Sequence, residues 1–183
     1  MIPRGAVWSL GLAIASLTAA TGCSTSPEDE GGGAILASSS QAAMNAFTTE
    51  DPSLQGLLDR SVGWAIFPEV GKAGFVVGGS HGRGEVFERG AKIGYADITQ
   101  GTFGLQAGAQ TFSELVVFMR QEDLDRFKGG EFQLAGNISA VAIKPGAAAS
   151  TDLSKGVIVF VRTTGGLMAE AAVGGQVFRF EPL

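Results

Sequence analysis

Gly63-Trp64-Ala65-Ile66-Phe67-Pro68 is where the spacing of apolar residues changes from helical to extended, and the class of the fold turns on it. Downstream the apolar residues come in short runs, at 63–67, 73–78, 84–88 and 92–99, each bounded by Gly or Pro, which is the pattern of strands joined by close turns. Residues 101–109 alternate, with Phe103, Leu105, Ala107 and Ala109 on one side and Gly104, Gln106 and Gly108 on the other. Small residues there let a second backbone come close. The apolar run 115–119 fits either a strand or the start of a helix. Residues 121–128 fit one short helix with Leu124 and Phe127 inward, stopped by Gly129-Gly130. Strand runs return at 132–143, 156–162, 167–173 and 176–180, and no repeat unit is visible.

Upstream of Gly63 the period is helical. Residues 34–47 are alanine-rich, with Met44 and Phe47 on one face and Gln41 and Asn45 elsewhere. A second helix follows: Asp51 is placed to cap it, Pro52 suits its first turn, and Leu54, Leu57 and Leu58 form an apolar stripe that ends near 60–63. Helices grouped at the front and many short strands behind them predict an α+β domain. Its sheet is expected to be antiparallel and strongly bent, or a partly closed barrel, with two N-terminal helices and one short internal helix; glycines supply the bulges that bending needs.

The first 23 residues carry a different message. Arg4 precedes an apolar run from about Ala6 to Leu17, followed by Ala20-Thr21-Gly22-Cys23, the pattern of a secretory leader. At roughly a dozen residues the run is shorter than the ~20 needed to cross a bilayer. Cys23 is the only cysteine, so no disulfide can form within the chain. Ala20–Cys23 resembles a lipobox, which implies a diacylglyceryl group and an acyl chain on Cys23 and anchorage stable enough to hold the protein on a membrane. Ser24 resembles the default signal for the periplasmic face of the outer membrane in a Gram-negative cell. An ordinary leader cut near Ala20 or Gly22 is the alternative. The expected organisation is a signal peptide at 1–22, a lipidated cysteine and flexible acidic tether at 23–33, and one domain at 34–183.

Removing residues 1–22 from a chain of 183 leaves enough for one domain with a real core. The net charge is −5, so nonspecific attraction to nucleic acid is weak and no nucleic-acid partner is expected. Charged residues make up only 17% while Gly reaches 28, a balance that favours tight turns and bent strands over a broadly solvated surface. One His and one Cys cannot build a zinc site, no Gly-x4-Gly-Lys-Ser/Thr loop is present, and no carboxylate pair recommends itself, so no cofactor or metal is expected.

Four ordered blocks carry a family resemblance. Phe67-Pro68 with Lys72-Ala73-Gly74-Phe75-Val76-Val77-Gly78-Gly79-Ser80-His81-Gly82-Arg83-Gly84 resembles the opening of SYLF domains, which are lipid-binding modules of bacterial lipoproteins and eukaryotic membrane-associated proteins. Gly104-Leu105-Gln106-Ala107-Gly108-Ala109-Gln110, Asn137-Ile138-Ser139-Ala140-Val141-Ala142 and Gly166-Leu167-Met168-Ala169-Glu170-Ala171 are similar to later blocks of the same family. The resemblance implies membrane phospholipid binding, with a phosphoinositide-type head group as the eukaryotic precedent, and no catalysis. Actin binding is not expected here, because the N-terminal part carries Glu28, Asp29, Glu30, Glu50 and Asp51 where the eukaryotic relatives are basic.

Lys72, Arg83, Arg89 and Lys92 fall on one predicted hairpin and its turn, where they can converge on a phosphate with the amides of Gly78 and Gly79 as extra donors. The competing reading is four separate solvated charges near Glu85 and Glu88. Trp64, Phe67, Phe75 and Phe87 either line a slot for an acyl chain or fill the core. Gly78-Gly79-Ser80-His81-Gly82 matches the G-x-S-x-G pattern of a serine hydrolase, but 83–88 reads as strand where that chemistry needs a helix, and the only histidine adjoins the serine. Two further functions therefore stand beside lipid binding: an envelope scaffold that binds a protein partner, and, remotely, hydrolysis at Ser80.

Overall fold

The computed structural model describes residues 30–74, 77–103, 108–130, 140–163 and 175–183. The leader, Cys23, Phe75, most of the tether, and the strands expected at 132–139 and 167–173 lie outside the described residues. Helix α1 (Glu30–Glu50) starts four residues ahead of Ala34 and takes in Gly31-Gly32-Gly33. Its second half packs, with Phe47 fully buried and Ala43 nearly so. Helix α2 (Ser53–Leu58) buries Leu54, Leu57 and Leu58, the stripe expected from their spacing.

Asp51 joins the two helices and does more than cap. Its Oδ1 accepts from the Ser53 amide at 3.0 Å and the Ser53 hydroxyl at 2.6 Å. Across the fold the same carboxylate accepts from the Gly146 amide at 3.1 Å and the Ala148 amide at 2.7 Å. Burial pushes its pKa up, but these bonds outweigh burial and hold it below the ordinary aspartate value.

Among the described residues seven strands form one sheet: β1 (Gly63–Gly74), β2 (Val77–Glu88), β3 (Ala91–Phe103), β4 (Gly108–Phe118), β5 (Ala140–Ala142), β6 (Val157–Thr163) and β7 (Gln176–Pro182). The order across the sheet is β5-β6-β4-β1-β2-β3-β7. Helix α3 (Gln121–Lys128) lies where the sequence put it and buries Leu124 and Phe127. The expectation of an antiparallel sheet needs one correction, since β5 pairs with β6 in parallel. Two strand bounds also change. Residues 73–78 are the end of β1 and the start of β2, and 101–109 run from the end of β3 into β4. Period-two alternation marks extended chain but does not say where one strand stops and the next begins when the apolar run continues through the connection.

Pro68 sits inside a central strand, where a missing N–H would break a ladder. The register of β1 shifts at that point against both neighbours, between Ile66 and Glu69 on the β2 side and between Phe67 and Val70 on the β4 side. A bulge absorbs the proline, and the Ser113 hydroxyl donates to the Pro68 carbonyl at 2.7 Å.

The sheet is open, yet curled so far that Gln176 on β7 reaches Glu114 on β4 at 2.9 Å, although β1, β2 and β3 stand between those strands in the hydrogen-bonded order. The inner, concave face holds Ala65, Phe67, Val86, Ile98, Val116, Val159 and Phe178, closed at one end by Leu124 and Phe127 of α3. Ile66, Leu115, Val117, Ile158 and Phe160 point to the other face and pack under α1, α2 and Ala147-Ala148. β6 therefore buries Val157 through Val161 without alternation, as expected of a strand covered on both sides. Gly84 shows why the inner face is glycine-rich: a Cβ there would collide with the Ile66 carbonyl and approach Phe67 Cδ1 to 2.7 Å.

Candidate functional site

The hairpin β1–β2 and the turn to β3 place the four cations of the expected head-group site in three separate regions. Lys72 pairs in register with Ser80, and Gly78 and Gly79 lie at the same end, opposite Gly74 and Ala73. Arg89 is at the far end, nine residues beyond Ser80 along the same hairpin, a span of roughly 30 Å at strand rise. Arg83 lies between them. The Lys72 side chain is outside the described residues.

Lys92 is engaged. Its Nζ donates to Glu85 Oε1 at 2.5 Å and lies 4.1 Å from the centroid of the Tyr95 ring. Burial alone would lower its pKa, but Glu85 and Tyr95 reverse that and raise it, fixing the positive charge. Arg83 Nε meets Asp97 Oδ1 at 3.4 Å. Burial raises the Asp97 pKa, and the Arg83 charge offsets only part of that. Arg89 is exposed at the β2–β3 turn with φ of 50°, beside a cleft of about 480 Å³ lined by Met44, Asp59, Trp64 and Gly90. Glu88 is paired with Lys128 at 3.2 Å and accepts from Gln121 at 2.8 Å.

A larger cleft lies between α1 and the bulge of β1. It encloses about 540 Å³ and is lined by mostly small and apolar residues of α1, including Ile35, Leu36, Ala42 and Ala46, facing Pro68, Glu69, Ser113, Arg83 and Arg162. Ile35 is 69% exposed at its mouth. Arg162 Nε donates to Glu50 Oε1 at 2.5 Å. An apolar floor with two guanidinium groups on its walls suits an amphiphile with an anionic head. The spacing of the sequence could not pair Arg162 with Arg83, because β6 reaches this position only through the order of the sheet.

The aromatic set divides between two layers. Trp64 stacks on Phe87 with centroids 5.5 Å apart on the helix-covered face, whereas Phe67 lies on the inner face against Phe178. Ser80 does not sit on a nucleophile elbow, because β2 runs straight through 77–88. Its side chain is buried at 2% exposure, with Oγ 3.3 Å from Gln100 Oε1, while neighbouring His81 is exposed on the opposite side of the strand. Among the described residues no group of three His, Cys, Asp or Glu side chains is placed to hold a metal, and no helix is long and apolar enough to cross a membrane.

The region from Thr99 to Pro182 spans β3 to β7 and contains three of the four resemblance blocks; over residues 99–182 it matches the family model Ysc84, described as Las17-binding protein actin regulator. Residues 99–182 are thus similar to the Ysc84 (SYLF) family. No curated protein matches the chain. The Ysc84 match begins within β3 and leaves out β1 and β2, yet these two strands stand between β3 and β4 in the sheet. The folded unit that holds the matched region therefore includes the hairpin at 63–88, because without it the matched strands have no common ladder.

Proposed function

We propose that this protein is an exported lipoprotein, acylated at Cys23 and held at the cell envelope, whose Ysc84 domain binds membrane phospholipid in the cleft between α1 and the β1 bulge. The observation that carries this reading is the composition of that cleft: Arg83 and Arg162 over a floor of small and apolar residues, with Ile35 and Leu36 at a mouth formed by the first turns of α1. The helix begins seven residues after Cys23, so an extended link spans at most about 25 Å. An acylated Cys23 thus keeps the mouth of the cleft close to the bilayer.

Actin regulation, the activity in the family description, is not part of the proposal. The chain offers no basic N-terminal segment for it: Glu50 is committed to Arg162 and Asp51 is buried as a cap. Hydrolysis at Ser80 has no support in the geometry. The test is flotation of the chain from Ser24 onward, which lacks both leader and thiol, with vesicles of zwitterionic or anionic phospholipid. Binding that favours anionic vesicles and falls several-fold in Arg162→Glu supports the proposal. No flotation with either vesicle would leave anchorage to the acyl groups alone and favour an envelope scaffold that binds a protein partner.

A further inference from the structure

The smaller cleft, beside the β2–β3 turn, shares no lining residue with the cleft proposed for lipid. Its volume of about 480 Å³ falls within the range of small-molecule sites, roughly 300–1,000 Å³. Among the described residues Met44, Leu58 and Trp64 give it apolar surface, while Asp59 and Arg89 give it one charge of each sign. Trp64 stacks on Phe87 with centroids 5.5 Å apart and rings 15° from parallel, which fixes the plane of the indole.

The backbone at Arg89 shows that this side chain is not there for the turn. Arg89 and Gly90 form the two-residue loop between β2 and β3, and both have positive φ, 50° and 82°. Hairpin turns of that kind favour Asn, Asp or Gly at the first position. Arg89 is the one non-glycine residue with positive φ among the described residues, and a long side chain is held there against its backbone preference. No contact of the guanidinium offsets that strain, because it has no hydrogen-bond or ion-pair partner among the described residues.

Asp59 is equally ill placed for a structural role. It caps the C-terminal end of α2, the negative end of a helix, where a base is the favourable choice. Gln55 Nε2 donates to its Oδ1 at 2.8 Å and leaves Oδ2 open. Asp59 and Arg89 line one cleft yet form no ion pair with each other. Neighbouring charges are engaged elsewhere: Arg60 Nε donates to the Gly56 carbonyl at 2.8 Å, and Glu88 pairs with Lys128 at 3.2 Å.

An anion alone would meet Asp59 and a cation alone would meet Arg89, so a ligand that uses both walls carries both signs. A guanidinium matches phosphate through two parallel N–H bonds. A carboxylate beside an indole and the apolar Met44 and Leu58 suits an ammonium whose own surface is partly apolar, which means a methylated one attracted by the ring. We propose that the cleft between α2 and the β2–β3 turn binds a small zwitterion in which a methylated ammonium is joined to a phosphate, the chemistry of phosphocholine. Soluble choline phosphoesters and the head group of a choline lipid share that chemistry. This site stands or falls independently of the cleft between α1 and the β1 bulge.

The chain has two tryptophans, Trp8 and Trp64, so the full chain carrying Trp8→Phe and Cys23→Ser reports on the cleft through Trp64 alone. Titration with phosphocholine is expected to give a saturable change in its emission, with choline, inorganic phosphate and phosphoethanolamine each at least about fivefold weaker. Asp59→Asn, which keeps an oxygen for Gln55, and Arg89→Asn should each raise the phosphocholine dissociation constant about fivefold or more. Arg89→Asn should also raise the urea midpoint, because Asn-Gly suits the turn, and Arg162→Glu should change neither quantity for phosphocholine binding. Glycerophosphocholine compared with phosphatidylcholine vesicles then separates a soluble ligand from a lipid head group. The inference is overturned by the lack of a saturable change with phosphocholine, by equally tight binding of choline, phosphate or phosphoethanolamine, or by an affinity unchanged in both variants. A lower urea midpoint in Arg89→Asn would also overturn it, by showing that the arginine holds the turn.

Discussion

Replacing Glu114 with Gln is expected to make the protein more stable at neutral pH. Burial pushes the Glu114 carboxyl from the ordinary value of 4.5 up to about 8, and the hydrogen bond from Gln176 opposes that only in part. Between these two values the folded protein holds a proton that the unfolded chain releases. Folding stability therefore falls as pH rises through this window, at up to about 1.4 kcal/mol per pH unit. By pH 7 the accumulated loss is about 3 kcal/mol, and by pH 8 about 4 kcal/mol, both upper limits that local relaxation and water entry reduce. Either is a large share of the ~5–15 kcal/mol that holds a typical domain together. Glutamine has the shape of the neutral acid and does not titrate. The assay is urea unfolding of wild type and Glu114→Gln at pH 5, 6, 7 and 8, followed by tryptophan fluorescence. All other groups titrate in both proteins and cancel in the difference. The curves should meet near pH 4.5 to 5 and separate progressively towards pH 8 with the variant above. A stability difference that stays constant across this range would show that Glu114 is ionised in the fold or open to solvent, and the account of the inner face would fail.

Asp51→Ala removes a carboxylate that accepts from Ser53, Gly146 and Ala148, so a loss of about 2–4 kcal/mol is expected in chemical denaturation. Because the Asp51 pKa is lowered in the fold, its stabilisation is complete above the unfolded value of 3.8 and disappears as pH falls through the folded one; acid unfolding of Asp51→Asn compared with wild type reads this directly. Gly156 has φ of 77° and a Cβ there would strike both Arg120 and Asp123; Gly156→Ala should cost about 2–4 kcal/mol, with a lower urea midpoint, while Gly90→Ala, with open space around it, should cost only the strain of its positive φ. Phe160→Ala in the layer beneath α1 and α2 should cost about 3–5 kcal/mol, a loss that calorimetry will show as a drop in Tm.

Much of this fold was legible because its local signals agreed. The stripe Leu54, Leu57, Leu58 and the pair Leu124 and Phe127 repeat at helical spacing and are buried as that spacing requires. The short runs bounded by Gly and Pro marked extended chain correctly. Their ends were illegible where the apolar run continues through the connection, as at Phe75-Val76 and Leu105, which is why 73–78 and 101–109 each proved to belong to two strands. Of the run 115–119, ambiguous between strand and helix, all but Met119 became the end of β4, because a strand covered on both faces shows no alternation. The expected convergence of Lys72, Arg83, Arg89 and Lys92 rested on nearness along the hairpin, but a hairpin separates its two ends by its full length. Lys92 found Glu85 and Tyr95 instead. Arg162 and the inner polar set of Ser80, Gln100, Gln176 and Glu114 depend on contacts 20 to 112 positions apart in sequence, and no local pattern announces them.

The two faces of the sheet assign different work to the same strands. β1 and β4 present alternate residues to opposite layers, so Ile66 and Leu115 lie under the helices while Phe67 and Glu114 face the concave interior. A change in curl would move both layers at once, because the strands that wall the cleft beside α1 through Pro68 and Ser113 are those that carry Glu114 on the inner face. Pro68 makes the coupling specific: its bulge is opposite Ser113 and Glu114, at the point where the outer cleft and the inner face are separated by one thickness of backbone. On this basis Glu114→Gln should alter vesicle binding far less than Arg162→Glu at pH 6, where the wild-type Glu114 carboxyl is neutral, and the gap should narrow at pH 8 as that carboxyl ionises. Vesicle flotation of both variants at the two pH values separates these cases, and identical ratios would show that the layers act independently.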